Sequence, residues 1–194
     1  LSTPVKKVLR KNNKIIINSY SKKNDTHHEE EFDSVIFATH SDQALDMLHD
    51  SSTQEKDILG SIPYQKNEVL LHTDSSVLPR RKLAWASWNY QLDSDPGKPV
   101  VLTYNMNILQ SIECDETFCV TLNNQQLVDK DKVLKKIIYH HPLFNVKGIQ
   151  AQKRKSEING VNNTFYCGAY WHNGFHEDGV VSALEVCKHF GESL

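Results

Sequence analysis

Apolar residues fall in short clusters with polar punctuation, and each cluster predicts an element. Val5, Val8 and Leu9 lead to Asn12-Asn13, and Ile15-Ile16-Ile17 follow; β-branched residues around a turn dipeptide predict an opening hairpin. The stretch 21–31 is polar and charged, which predicts a solvated turn with His27 and His28 as exposed loop residues. Val35-Ile36-Phe37-Ala38 is a continuous apolar run, the pattern of a strand buried on both faces. Beyond it, Thr39 with Asp42 matches a capping box for a helix through Ala44, Leu45, Met47 and Leu48. Ser52 with Glu55 matches a second box, for a helix ended by Gly60.

Four strands follow, at 69–71, 84–90, 100–106 and 118–122, with Asp95-Pro96-Gly97 as the turn between the second and third. Short turns between neighbours imply an antiparallel sheet. Along 84–90 the pleat puts Trp88 and Tyr90 on one face and Trp85 on the other, which assigns Trp85 to the core. His72 and Asp74 share one side of their strand, as a surface pair. Val133, Leu134, Ile137 and Ile138 form a stripe with Lys132, Lys135 and Lys136 outside it; this predicts a helix over 131–139, stopped by Pro142, with His140 and His141 at its C-terminal end. Asn159-Gly160 predicts a hairpin turn leading into a strand at 164–167. Val180, Ala183, Leu184 and Cys187 predict a last helix ended by Gly191.

The 194 residues are 39% hydrophobic and 24% charged, an ordinary globular make-up that excludes a disordered or fibrous chain and allows one large domain or two incomplete ones. Lys plus Arg (22) nearly cancels Asp plus Glu (24), for a formal charge of -2. No basic excess points to nucleic acid or to an anionic membrane surface, and no apolar run approaches the roughly 20 residues of a membrane span. Cys114, Cys119, Cys167 and Cys187 are spaced too irregularly for a disulfide framework, so reduced thiols and a cytoplasmic location are expected. The chain opens on Leu1 rather than Met, and so reads as a segment of a longer polypeptide.

The candidate chemistry lies between the last strand and the last helix, in Cys167-Gly168-Ala169-Tyr170-Trp171-His172-Asn173-Gly174-Phe175-His176-Glu177-Asp178-Gly179. Three of the eight glycines fall there. A strand, a glycine-punctuated loop and a helix N-terminus together make a cradle for an anion or cofactor, because first-turn N–H groups are unpaired and the dipole is positive there. A turn that only packs the helix onto the sheet fits the same spacing equally well. His172 and His176 sit four apart with Glu177 and Cys167 near, but Gly174 between them breaks a shared helical face, so no metal is expected. Asp178 is placed to cap the helix.

The blocks Thr-Phe-Tyr-Cys-Gly-Ala-Tyr-Trp, Gly-Phe-His-Glu-Asp-Gly and Ser-Ala-Leu over 164–184 resemble the C-terminal flavin-binding motif of the FAD-dependent amine oxidase superfamily. The likeness is closest to its bacterial branch of NAD/FAD-binding proteins associated with cyclopropane-fatty-acyl synthases. Phe32-Asp33-Ser34-Val35-Ile36-Phe37-Ala38-Thr39-His40, Leu71-His72-Thr73-Asp74, Trp85-Ala86-Ser87-Trp88-Asn89-Tyr90 and His141-Pro142-Leu143-Phe144 extend it over nearly the whole chain.

This resemblance implies an α+β fold: an antiparallel-sheet substrate-binding domain with helices at 41–150, and pieces of an incomplete FAD-binding α/β domain at 1–40 and 151–194. It implies that Thr39, Gly168, Ala169, Gly174, Phe175, His176, Glu177 and Asp178 lie in the FAD site, with the Gly179, Val180 and Val181 backbone against the flavin ring and Gly168 and Ala169 by the pyrophosphate and ribityl chain. His72, Trp88, Asn89 and Tyr90 become substrate-pocket candidates for an apolar or fatty-acyl molecule. Where many relatives carry an acidic residue, this chain has Ala169. The Gly-x-Gly-x-x-Gly fingerprint that holds the ADP part is absent, with no glycine before Gly60. The expected partner is therefore a missing N-terminal FAD-binding half, without which this chain is expected to hold FAD poorly and to be inactive. Apolar surface left bare by that absence is expected to favour homo-oligomers. A non-catalytic binding domain derived from the same fold is the alternative reading.

Overall fold

In a computed structural model that describes residues 1–92 and 101–193, Asn12 and Asn13 both take positive φ (53° and 61°), as a two-residue hairpin turn requires. They join β1 (Val5–Lys11) to β2 (Lys14–Ser21), which pairs antiparallel with β3 (Thr26–Phe32). The third strand corrects the expected turn at 21–31. It is exposed along its whole length, so its polar composition reflects solvent on both faces, and the register against β2 makes it a strand.

The chain then runs through β4 (Val35–Phe37), α1 (Ser41–Met47), α2 (Thr53–Gly60), β5 (Tyr64–His72), β6 (Trp88–Gln91), β7 (Val101–Asn105), α3 (Met106–Gln110), β8 (Cys119–Leu122), β9 (Val133–Pro142), α4 (Val146–Gln152), β10 (Thr164–Tyr166) and α5 (His176–Cys187). The α+β class holds. Ser52 and Glu55 form the predicted capping box, whereas the first box sits one residue later than expected: His40 is the cap and its N–H is donated to Gln43. β4 is buried at Val35 and Phe37 only; Ile36 is 46% exposed. No helix among the described residues is long and apolar enough to cross a membrane.

Two compact units result, one from Leu1–Tyr64 with Pro142–Leu194 and one from Gln65–His141. The first has an apolar core in which Val8, Ile15, Phe37, Leu48, Ile58, Leu59 and Tyr166 meet. A buried ion pair crosses it. Arg10 grips Glu55 with its two terminal guanidinium nitrogens (2.7 and 3.0 Å) and Asp50 with Nε (3.1 Å), and the Tyr166 hydroxyl donates to the Glu55 carboxylate (2.7 Å). Burial alone would raise the Glu55 carboxyl, but Arg10, the Ser52 N–H and Tyr166 outweigh it and hold Glu55 at about 2.

The second unit is a five-stranded sheet in the order β6-β7-β8-β5-β9. The pairs β6/β7, β7/β8 and β5/β8 are antiparallel, as expected, but β5 inserts beside β8 rather than beside β6. The 131–139 segment is the strand β9, not a helix. Val133-Leu134 and Ile137-Ile138 satisfy a helical stripe, yet the segment is the neighbour of β5 at the sheet edge, and Thr73 N–H reaches Lys132 C=O. His140 and His141 accordingly end a strand. Trp85 follows a 3-10 turn instead of lying within a strand, half-buried, with its indole N–H on Pro79 C=O (2.8 Å). Asp95-Pro96-Gly97 lies outside the described residues. Asn159-Gly160 makes a turn, with Gly160 at φ 86°, but no hairpin: β10 pairs in parallel with β4, far away in sequence.

Candidate functional site

The parallel pair β4/β10 sets the first unit's candidate site. Its register places Phe37 opposite Tyr166, and Cys167 N–H continues the ladder onto Phe37 C=O (2.9 Å). Two residues further on, Thr39 and Gly168 leave the same carboxyl edge side by side. In sheets with parallel strands that edge is where ligands bind. The pairing thus brings to one edge two residues that lie 129 positions apart in the sequence.

From Gly168 the loop divides into buried and open parts. Tyr170 and Trp171 turn into the core, each 3% exposed. A Cβ on Gly168 would lie 2.5 Å from the Tyr170 ring, so only glycine fits there. Gly168 N–H is donated to the Ser182 hydroxyl (2.8 Å), which itself donates to Gly179 C=O (3.0 Å), and Gly168 C=O accepts from Trp171. Both polar groups of Gly168 are therefore used inside the chain, and what it offers a ligand is close backbone approach. Gln152 fixes the next turn by donating to the Tyr170 and His172 carbonyls (2.9 and 2.6 Å). Gly174 takes φ 89° beside the Phe144 ring.

α5 starts at His176, earlier than its apolar stripe suggested. Asp178 occupies its third position and reaches back to accept the N–H groups of Phe175 (2.8 Å) and Asn173 (3.2 Å), so it orders the entry to the helix. Gly179 N–H is already bonded to Phe175 C=O. The donors left at the terminus belong to the first turn, ahead of Val180 and Val181, whose side chains are exposed. Glu177 and Asp178 already place two carboxylates in that turn, which suits a neutral polar acceptor there better than a phosphate. Gly168 and Ala169 are half-buried and Gly174, Phe175, His176 and Glu177 exposed; the loop keeps an open outer surface along backbone, which fits the edge of a flat ring. Among the described residues no group of three or more metal-ligating side chains gathers.

Within the second unit the pocket candidates separate. His72 is fully buried, not at the surface, and so is Asp74. Asp74 N–H donates to His72 Nδ1 (3.1 Å), which leaves the proton on Nε2 for Thr121 Oγ1 (2.8 Å), and the Thr121 and Thr103 hydroxyls share the next hydrogen bond (2.8 Å). Burial lowers the His72 pKa, against the pull of Asp74. Asn89 is spent on the backbone: its amide donates to Ala86 and Thr103 carbonyls (2.6 and 3.2 Å) and accepts from Ala86 N–H (3.1 Å). Trp88 and Tyr90 are exposed, 41% and 58%, on the opposite face from Asn89, and Trp88 meets Tyr104 edge-on at 5.6 Å. In that unit the candidates thus resolve into an aromatic surface, Trp88 and Tyr90, and two groups engaged within the fold, the buried His72 and the half-buried Asn89.

Ser182, Gln152 and Asn159 also build the site, through bonds to Gly168, to the Tyr170 and His172 carbonyls and to Tyr166 N–H. Ser182 alone left a signal, as the one hydroxyl on the inner side of the last helix.

The chain resembles a solved structure of a CLA-producing fatty acid isomerase from P. acnes, with 14% identity over 97% of this chain and 47% of that one and a TM-score of 0.64. At that identity the likeness establishes a shared fold, and this chain spans about half of that relative's length. The rebeccamycin biosynthetic enzyme RebC aligns at 8% identity over 91% of this chain and 33% of that one, with a TM-score of 0.43, and RebC-10x over 86% and 31%, with 0.39. Scores that low carry no argument. No family model and no curated protein matches the chain.

Proposed function

We propose that this chain is the C-terminal portion of a flavin (FAD)-dependent oxidoreductase of amine oxidase type, acting on an apolar or fatty-acyl substrate and inactive without its other half. One observation carries the reading: Thr39 and the Gly168 loop leave one carboxyl edge together, and the loop runs directly into the N-terminus of α5. FAD, when bound, supplies a ring that accepts a hydride. The chain's own part is to bring bare backbone at Gly168 and Ala169 up to the cofactor and to aim first-turn N–H groups of α5 at its polar edge. The exposed Trp88 and Tyr90 offer apolar contact of the kind an acyl chain takes. The fold shared with a fatty acid isomerase supports the same substrate class.

The test is to produce the gene product that contains this chain, with everything encoded ahead of Leu1, beside the chain alone. Visible absorbance should show one flavin per longer polypeptide and none in the chain alone. A longer polypeptide free of flavin overturns the reading in favour of a non-catalytic binding domain.

A further inference from the structure

The parallel pair β4/β10 is an unfinished sheet with one sealed edge and one open edge. On β10, the groups pointing away from β4 are all satisfied within the chain. Thr164 C=O accepts from Gly160 N–H (2.9 Å), Tyr166 N–H is donated to the Asn159 side chain (2.8 Å), and Tyr166 C=O accepts the Trp171 indole N–H (3.2 Å). On β4 the ladder uses Phe37, whose C=O takes Cys167 N–H. The alternation of a parallel ladder then turns the N–H and C=O of Ile36 and Ala38 to the outer side. Along that side runs a mostly apolar groove of about 530 Å³, lined by Ile36 on β4, Ala38 just beyond it, Val5 on β1, Ile17 on β2 and Met47 on α1, with Gln43 and Asp46 of α1 among its polar members. Two-stranded parallel sheets do not stand alone, because parallel strands are stable only inside covered, larger sheets.

We infer that the outer edge of β4 is the docking line for one further parallel β-strand, apolar and supplied by the polypeptide half that completes the fold. This rests on the function proposed above for the source of the strand. The occupant follows from the hydrogen bonds. β10 can take no strand, Ile36 and Ala38 offer two residues' worth of main-chain pairing, and the groove beside them is lined mainly by apolar side chains, which select a strand that is apolar on that face. A strand parallel to β4 delivers its own carboxyl end beside Thr39 and Gly168. About half the length of the fold's relative lies outside this chain, enough for the strand and its cover.

Amide hydrogen exchange on the longer gene product and on the chain alone tests this. In the chain alone, Ile36 and Ala38 exchange fast while Phe37 and Cys167 are protected. In the longer product, exchange at Ile36 and Ala38 should slow by at least about tenfold. Ile36→Lys in the longer product should abolish that slowing while Phe37 stays protected, which shows that the variant still folds. Fast exchange at Ile36 and Ala38 in the longer product overturns the inference, including the case in which the gene encodes no further strand. Protection that appears in the chain alone as its concentration rises overturns it too, since the occupant is then a second copy. Flavin content read on the same samples separates the two proposals: flavin with an unprotected β4 edge fails only the docking line, and a protected edge without flavin fails only the flavoenzyme.

Discussion

The two units bury different kinds of residue. Among the described residues, the first buries seventeen apolar side chains and five polar ones, and the second six of each. In the first, order comes from packing, at about 1.5–3 kcal/mol per buried Val, Leu, Ile or Phe. In the second, His72, Thr121 and Thr103 form a chain of hydrogen bonds, each of which contributes only about 1 kcal/mol net but costs about 1–3 kcal/mol when one member is left unpaired. Packing tolerates changes of charge state and resists changes of shape. A buried proton chain does the reverse.

The largest expected effect lies at the first unit's exception to that rule. Glu55→Ala strips Arg10 of its most buried partner, leaving it only Asp50, and leaves the Tyr166 hydroxyl buried without its acceptor; it should cost about 3 kcal/mol in denaturant unfolding. Tyr166→Phe, which keeps the ion pair, should cost far less.

Shape is tested at the glycine loop. Gly168→Ala drives a Cβ to 2.5 Å from the packed Tyr170 ring and should cost about 1–3 kcal/mol. Gly179→Ala, whose Cβ would meet Ala169 at an ordinary 3.8 Å, should be neutral or stabilising by up to about 1 kcal/mol, since alanine favours the helix. Equal losses at both positions would show that the loop, not its contact with Tyr170, is what the fold resists changing.

Those two glycines also show how far the sequence could be read. Local signals were legible: Asn12-Asn13 gave its hairpin, Ser52 and Glu55 their box, and the glycine spacing its loop. Pairing over long separations was not. The β4/β10 register has no local cue, because two short apolar runs do not announce which strands they join. The β9 segment carries a helical stripe in Val133, Leu134, Ile137 and Ile138, and only its place at the sheet edge beside β5 makes it a strand. In the site, Thr39 and Gly168 were nameable but their adjacency was not. Asn89 and His72 looked like pocket groups because side-chain type does not reveal that every donor is already engaged.

Charge state is tested by acid. His72 is neutral in the fold, with Nδ1 facing the Asp74 N–H; a second ring proton would set donor against donor. Its pKa is lowered from 6.5, so the stability it supports is present above 6.5 and declines as pH falls below it. Asp74 adds a lower limb. Burial would raise its carboxyl, but the Asp129 and Ser76 N–H groups hold it at about 2 against an ordinary 3.8, so about 2 kcal/mol is lost as pH falls across that window. Glu55 acts in the first unit only below 4.5. Amide signals of Leu70 and Thr121 should therefore fade at higher pH than those of Ile58 and Tyr166. His72→Gln should remove the upper limb alone.

The smallest effect is the most specific to the aromatic face. Asn89→Ala removes two bonds to Ala86 and one to Thr103 at a half-buried position, for about 1 kcal/mol of stability. Its sharper consequence is geometric, since Asn89 fixes the chain where Trp88 and Tyr90 emerge. Trp88→Ala removes contact area directly, whereas Asn89→Ala leaves both rings in place and loosens only their presentation. If the rings form the apolar contact surface, a fluorescent fatty acid should bind the longer gene product several-fold more weakly in both variants, with wild-type flavin content retained. Weakening in Trp88→Ala alone would mean that the rings act singly and that Asn89 serves only the fold of the second unit.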